Sequence, residues 1–222
     1  GGMIGSHSNG KLQISNSTVD ASITSEGNYV GGLVGYVNTK DSVTVINTYI
    51  AGSIKGSNYV GGLFGYLNAQ DAVCTIQNTS NLNTNFYIEG RNYVGGMVGE
   101  LYNAKSFNVD GVSLRHSVSS SDQELKIIGG DDYVGGIVGR LSGLSNNSVI
   151  SNTVVNCPIS GRDYVGGMFG LFSNISNKNI TIQGTVGENG ELLTTIKGGN
   201  PAITGHGFNG TIKDLKIVDA WT

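Results

Sequence analysis

Residues 28–36 read NYVGGLVGY, and the chain writes nearly the same phrase four more times. It recurs as NYVGGLFGY at 58–66, NYVGGMVGE at 92–100, DYVGGIVGR at 132–140 and DYVGGMFGL at 163–171. The starts are 30, 34, 40 and 31 residues apart. Chance does not produce a nine-residue phrase five times in 222 residues. The phrase therefore marks a structural repeat, which has to be read before anything else in the chain.

Two further pieces travel with it. One is [IV]-x-[NGD]-[STVL], at 14–17, 45–48, 76–79, 109–112, 150–153, 182–185 and 212–215. The other is an isoleucine beside a glycine: Ile23, Ile54, Ile88, Ile128, Ile159 and Ile196. From Ile54 onward that isoleucine stands four residues before the next Asn or Asp. In the first repeat the gap is five, which reads as a one-residue bulge at Gly27.

No segment carries apolar residues at i, i+3, i+4 and i+7, so helices are not expected. The pieces are short, rich in Val, Ile, Thr and Tyr, and bounded by Asn, Gly, Ser or Asp, which is the pattern of strands and turns. Three short strands in about 30 residues, with like residues at like phases, predict one coil of a parallel β-solenoid. The expected fold is all-β: a right-handed parallel β-helix of about seven coils, right-handed because strand crossovers are. It forms a single domain over residues 1–222, with a divergent capping coil at 199–222. Trp221 would cover the open end there. The stretch Asn200 to Gly207 keeps only the first Asn and last Gly of the phrase, and His206 stands where Val or Phe would. The chain opens inside the motif, GGMIG at 1–5, which reads as a piece of a larger protein.

Stacked coils set like on like. Asn16, Asn47, Asn78, Gly111, Asn152, Gly184 and Asp214 should form one file at a corner, because these residue types tolerate a left-handed turn. The isoleucines should form an inward file and Val30, Val60, Val94, Val134 and Val165 another. Tyr29, Tyr59, Tyr93, Tyr133 and Tyr164 should stack as an aromatic spine. Glu100 and Arg140 would be cross-strand neighbours. The paired glycines sit between two apolar pairs, so no in/out alternation can be read. Either a bulge turns both pairs inward, or something covers an apolar outer face.

Gly is 36 of 222 with only 2 Pro and no Gly-X-Y period, which excludes collagen. A net charge of −3 gives no field for nucleic acid, and no run of 18 apolar residues could insert in a membrane. Cys74 and Cys157 lie three repeats apart, roughly 14 Å or more, too far for a disulfide. Free, buried thiols are expected.

The repeats resemble the GLUG-motif repeat, named for Gly-Leu-any-Gly. GGLVG at 31–35 and GGLFG at 61–65 match it outright; GGMIG, GGMVG, GGIVG and GGMFG match with Met or Ile for Leu. The resemblance covers essentially the whole chain. It implies an extracellular or cell-surface bacterial repeat protein, either adhesin-like or the non-catalytic part of a zinc peptidase that cleaves immunoglobulin A.

Catalytic signatures are missing from the sequence itself. There is no His-Glu-x-x-His, no Gly-x-Ser-x-Gly and no phosphate-binding loop, and His7, His116 and His206 are isolated. Asp131, Asp132 and Asp163, with Arg162 beside them, are the densest carboxylates. Asp132 and Asp163 share a phase in adjacent coils, about 5 Å apart if stacked, so they could hold Ca²⁺. Equally, they could simply replace Asn28, Asn58 and Asn92 at a turn. Insertions at 79–91 and 113–126 should project from one corner, and loops on a rigid scaffold carry recognition. Phe86, Tyr87, Arg115 and His116 are the contact residues they suggest. The functional expectation is a non-enzymatic, adhesin-like scaffold or binding face for a surface protein or glycan, with no required cofactor. The alternatives are a β-helix carbohydrate-active enzyme and an accessory segment of a surface metallopeptidase.

Overall fold

The computed structural model describes residues 1–82, 86–115, 126–174, 180–183, 195–197, 204–206, 210–213 and 216–217. The chain winds as an all-β parallel solenoid. Every interstrand pairing is parallel and joins one turn to the next, and no helix occurs among the described residues. Each full turn carries five short strands, two more than the sequence pattern suggests. In turn two these are Val34–Asn38, Val43–Ile46, Tyr49–Ala51, Ser53–Lys55 and Asn58–Gly61. We name the five sheets first to fifth in that order.

Five turns place a strand in all five sheets, spanning 4–31, 34–61, 64–95, 98–135 and 138–166. Beyond them the described strands continue the first three sheets only. The second sheet shows the register most clearly. Ile14, Val45, Ile76, Val109, Ile150, Ile182 and Ile212 pair in one file, matching all seven copies of the [IV]-x-[NGD]-[STVL] piece. The chain turns immediately after it. Asn16, Asn47, Asn78, Gly111 and Asn152 all have positive φ, from 47° to 67°. Asn47 donates its amide to Asn16, and Asn78 to Asn47, so the corner is stitched along the axis as well as bent. Gly184 and Asp214 lie outside the described residues.

The core is a set of such files. Val37, Leu67, Leu101, Leu141 and Phe172 stack in the first sheet and are all buried. In the fourth sheet Ile23, Ile54, Ile88 and Ile159 stack as expected, but the member from turn four is Ile127, not Ile128. Ile127 is fully buried, whereas Ile128 pairs with Glu89 on the outer side. Turn four thus carries its extra residue between Gly129 and Asp132. Ile196 joins a different file, pairing with Val155 in the third sheet. The extra residue of turn one falls between Ile23 and Asn28, both of which are in register with turn two.

The motif's glycines are explained by a bend at the corner between the fifth and first sheets. The N–H groups of Leu33 and Val34 both donate to the carbonyl of Leu63, at 3.0 and 2.9 Å. The same doubling recurs at Leu63/Phe64 on Met97, Met97/Val98 on Ile137, and Ile137/Val138 on Met168. One carbonyl accepting from two successive N–H groups marks a sharp bend, repeated in register in every turn, and both side chains beside it face inward: Leu33 and Val34 are fully buried. The glycines around it touch backbone. A Cβ on Gly62 would lie 2.1 Å from the carbonyl of Gly96, and one on Gly65 would lie 2.5 Å from the amide nitrogen of Val30. The fifth sheet folds tightly onto the first only because these positions lack side chains.

Candidate binding face

The fifth-sheet corner carries the densest outward-facing chemistry. Asn28, Asn58, Asn92 and Asp132 form a polar file there. Asn58 donates to Asn28 at 2.9 Å and Asn92 to Asn58 at 3.0 Å, and the Asp132 N–H donates to the Asn92 side chain at 3.1 Å. The next residue of each repeat is the tyrosine. The five rings stack with centroids 5.0, 4.6, 4.9 and 5.0 Å apart along Tyr29, Tyr59, Tyr93, Tyr133 and Tyr164. All five residues hold positive φ, between 53° and 66°. That conformation costs a bulky residue about 1–2 kcal/mol. Each stacked pair returns about 0.5–1.5 kcal/mol, so the file supports a backbone that a lone tyrosine would resist. Tyr29 and Tyr164 are the most exposed members, at 39% and 40%.

A second, shorter file lies beside it. Tyr36 and Tyr66 stack at 5.6 Å, and Tyr29 and Tyr59 meet them edge-on. The next two residues in this file are Glu100 and Arg140, which pair in backbone register and meet at 3.5 Å. Glu100 is only 4% exposed. Burial pushes its carboxyl up to about 7, against the pull of Arg140. The Arg140 guanidinium lies over the Tyr93 ring at 5.8 Å. Burial first, then the negative charge of Glu100, raises the hydroxyls of Tyr59 and Tyr66.

The acidic residues singled out by sequence do converge. Asp131, Asp132 and Asp163 all contact one guanidinium: Arg162 reaches them at 3.1, 3.0 and 3.3 Å. Arg91 adds a contact to Asp131 at 3.3 Å. Asp132 occupies the Asn phase, and a cation in the form of Arg162 sits among the carboxylates. No group of three or more His, Cys, Asp or Glu arranged to hold a metal occurs among the described residues.

Both insertions leave from the corner between the third and fourth sheets. Ser80 pairs with Ser113 on one side of it, and Tyr87 with Lys126 on the other. Phe86 is not a contact residue. Its ring is 1% exposed in the core, because the strand returns inward at that point. Tyr87 is half-buried, donates its hydroxyl to Glu89 at 3.0 Å, and lies under the Lys55 ammonium. Arg115 is exposed, its backbone exchanging hydrogen bonds with the Asn81 side chain. His116 lies outside the described residues. His206 belongs to a first-sheet strand and pairs with Leu171, two residues beyond the phase its sequence position suggests.

Sequence reasoning missed Lys55, Glu89 and Arg91. Lys55 and Glu89 pair at 3.1 Å on the outer side of the fourth sheet. Stacking Ile54 on Ile88 would have placed them together, since each follows its isoleucine directly. Comparison with protein-family models, with curated proteins and with solved structures finds no match.

Proposed function

We propose that the protein is a non-enzymatic, adhesin-like repeat domain of the GLUG type, acting outside the cell or at a bacterial cell surface. It serves as a rigid scaffold that presents a binding face to a surface protein or glycan. We read the winding as right-handed and the repeat as continuing to about seven coils. The observation that carries this reading is the unbroken fifth-sheet corner. Five tyrosines and their Asn or Asp neighbours keep one register across five turns. A continuous, stitched surface of this kind suits an extended ligand. The Arg162 cluster gives its distal half a distinct polar character.

The test is an array of glycans and extracellular-matrix proteins probed with the intact chain, with turnover assayed on the same polysaccharides. Saturable binding without turnover, weakened by Tyr133→Ser, supports the scaffold. Release of reducing ends or of unsaturated sugars overturns it in favour of a β-helix carbohydrate-active enzyme.

A further inference from the structure

The corner between the first and second sheets is uneven. Seven residues separate Asn68 from Ile76 in turn three, six separate Tyr102 from Val109 in turn four, and seven separate Ser142 from Ile150 in turn five. These pairs are in register, so turn four is one residue short and its corner is recessed. The neighbours close across it: the Ser145 hydroxyl of turn five donates to the Asp71 carboxylate of turn three. A cavity of about 370 Å³ opens at this dent. That lies within the size range of small-molecule sites, about 300–1,000 Å³.

Its lining is specific in kind. Ala104 and Leu144, almost wholly buried, form its floor. Gln70, Asp71, Asn103 and Ser145 supply the polar atoms. Asp71 and Asn103 are held at positive φ, 68° and 52°, and Gly143 at 75°. A Cβ at Gly143 would lie 2.7 Å from the Asn103 side-chain oxygen, so the glycine keeps space open beside that amide. Positive φ recurs at this corner in other turns, at Asn9 and Asn174, so it is the geometry of the turn itself and holds the lining residues in fixed positions.

We propose that this cavity binds one neutral sugar residue, such as the terminal hexose of a glycan. None of the lining residues is cationic, so an anionic sugar would meet the Asp71 carboxylate without a counter-charge. One carboxylate is too few hard oxygens for a calcium ion. A neutral pyranose offers hydroxyl donors to Asp71 and both hydrogen-bonding senses to the Asn103 and Gln70 amides. The proposal rests on the scaffold reading above and names its ligand class.

The test is amide chemical-shift mapping of the intact chain with methyl glycosides of galactose, mannose, fucose and N-acetylglucosamine. Glucuronate and sialic acid serve as charged controls. Single-sugar affinities lie near the millimolar range, so titration to about 20 mM is needed. At least one neutral glycoside should shift the amides of Asp71, Asn103, Gly143 and Ser145. Asp71→Asn, which tolerates the same backbone and can still accept from Ser145, should weaken it about tenfold. Glu89→Gln, on the outer side of the fourth sheet, should leave binding unchanged. Absence of shifts at these amides, tighter binding of a charged sugar, or an unaffected Asp71→Asn variant each overturns the proposal. Shifts confined to the tyrosine corner would remove this site and leave the scaffold standing, whereas cleavage of a glycan would remove the scaffold reading itself.

Discussion

Tyr59 and Tyr93 lie face to face, ring centroids 4.6 Å apart and 2° from parallel, and each stands at a φ of 56°. Stacking and backbone strain are therefore coupled along the whole file. Tyr93 has a ring on either side, so Tyr93→Ala should destabilise by about 1–3 kcal/mol, the two lost pairs, since the positive φ strains alanine as it strains tyrosine and cancels. Tyr93→Gly removes the same ring but suits the backbone, and should be about 1 kcal/mol more stable than the alanine variant. Urea midpoints of the two variants decide the order.

The glycines divide into those against backbone and those in open space. Gly62→Ala would set a methyl group 2.1 Å from the Gly96 carbonyl, which no side-chain movement can relieve. It should cost more than about 4 kcal/mol and leave little soluble protein. Gly5 meets nothing within 4 Å, so Gly5→Ala should stay within about 0.5 kcal/mol of the parent. Thermal unfolding of the pair measures the contrast.

The Glu100 carboxyl, pushed from 4.5 to about 7 by burial, makes stability depend on pH. Between those values the folded protein keeps a proton that the unfolded chain has lost. Stability is therefore fullest below about pH 4.5 for this group, falls as pH rises through the window, and levels off above about 7, by on the order of 3 kcal/mol. Glu100→Gln should remove that slope. The variant should match the parent near pH 4.5 and exceed its stability near pH 8, as read from urea titrations at both values.

Cys74 and Cys157 are free and buried, and burial pushes both thiols up to about 12. Neither should react with a disulfide reagent at about pH 8 in the folded state, since the thiolate is the reactive form. Both should react in denaturant. Rapid labelling of either thiol in native buffer would contradict their placement.

What could be read before the structure was what repeats in register. The tyrosine file, the left-handed Asn corner and the Glu100–Arg140 neighbours all follow from aligning copies of one phrase. The misreadings share a different cause. Ile127 and Ile128 are adjacent and identical, so only burial tells which one enters the core. Phe86 sits in an insertion, where aromatic character suggests contact, yet the strand has already returned to the core. Strands of two or three residues, such as Val30–Gly31, are too short to show alternation, so five strands per turn look like three. The Leu33–Val34 bend and the recessed corner at Asn103 depend on hydrogen-bond register between turns, which a single repeat does not display.

The parallel ladders have a mechanical corollary. Their hydrogen bonds point along the solenoid axis, so a tug applied between its two ends strains the bonds of successive turns in series. Rupture then proceeds one turn at a time, because each turn's backbone ladders join it only to its neighbours. Every release frees 30–40 residues of chain, about 100–140 Å of slack. Under load such a tether would yield in steps, dissipating force while the remaining turns keep their shape.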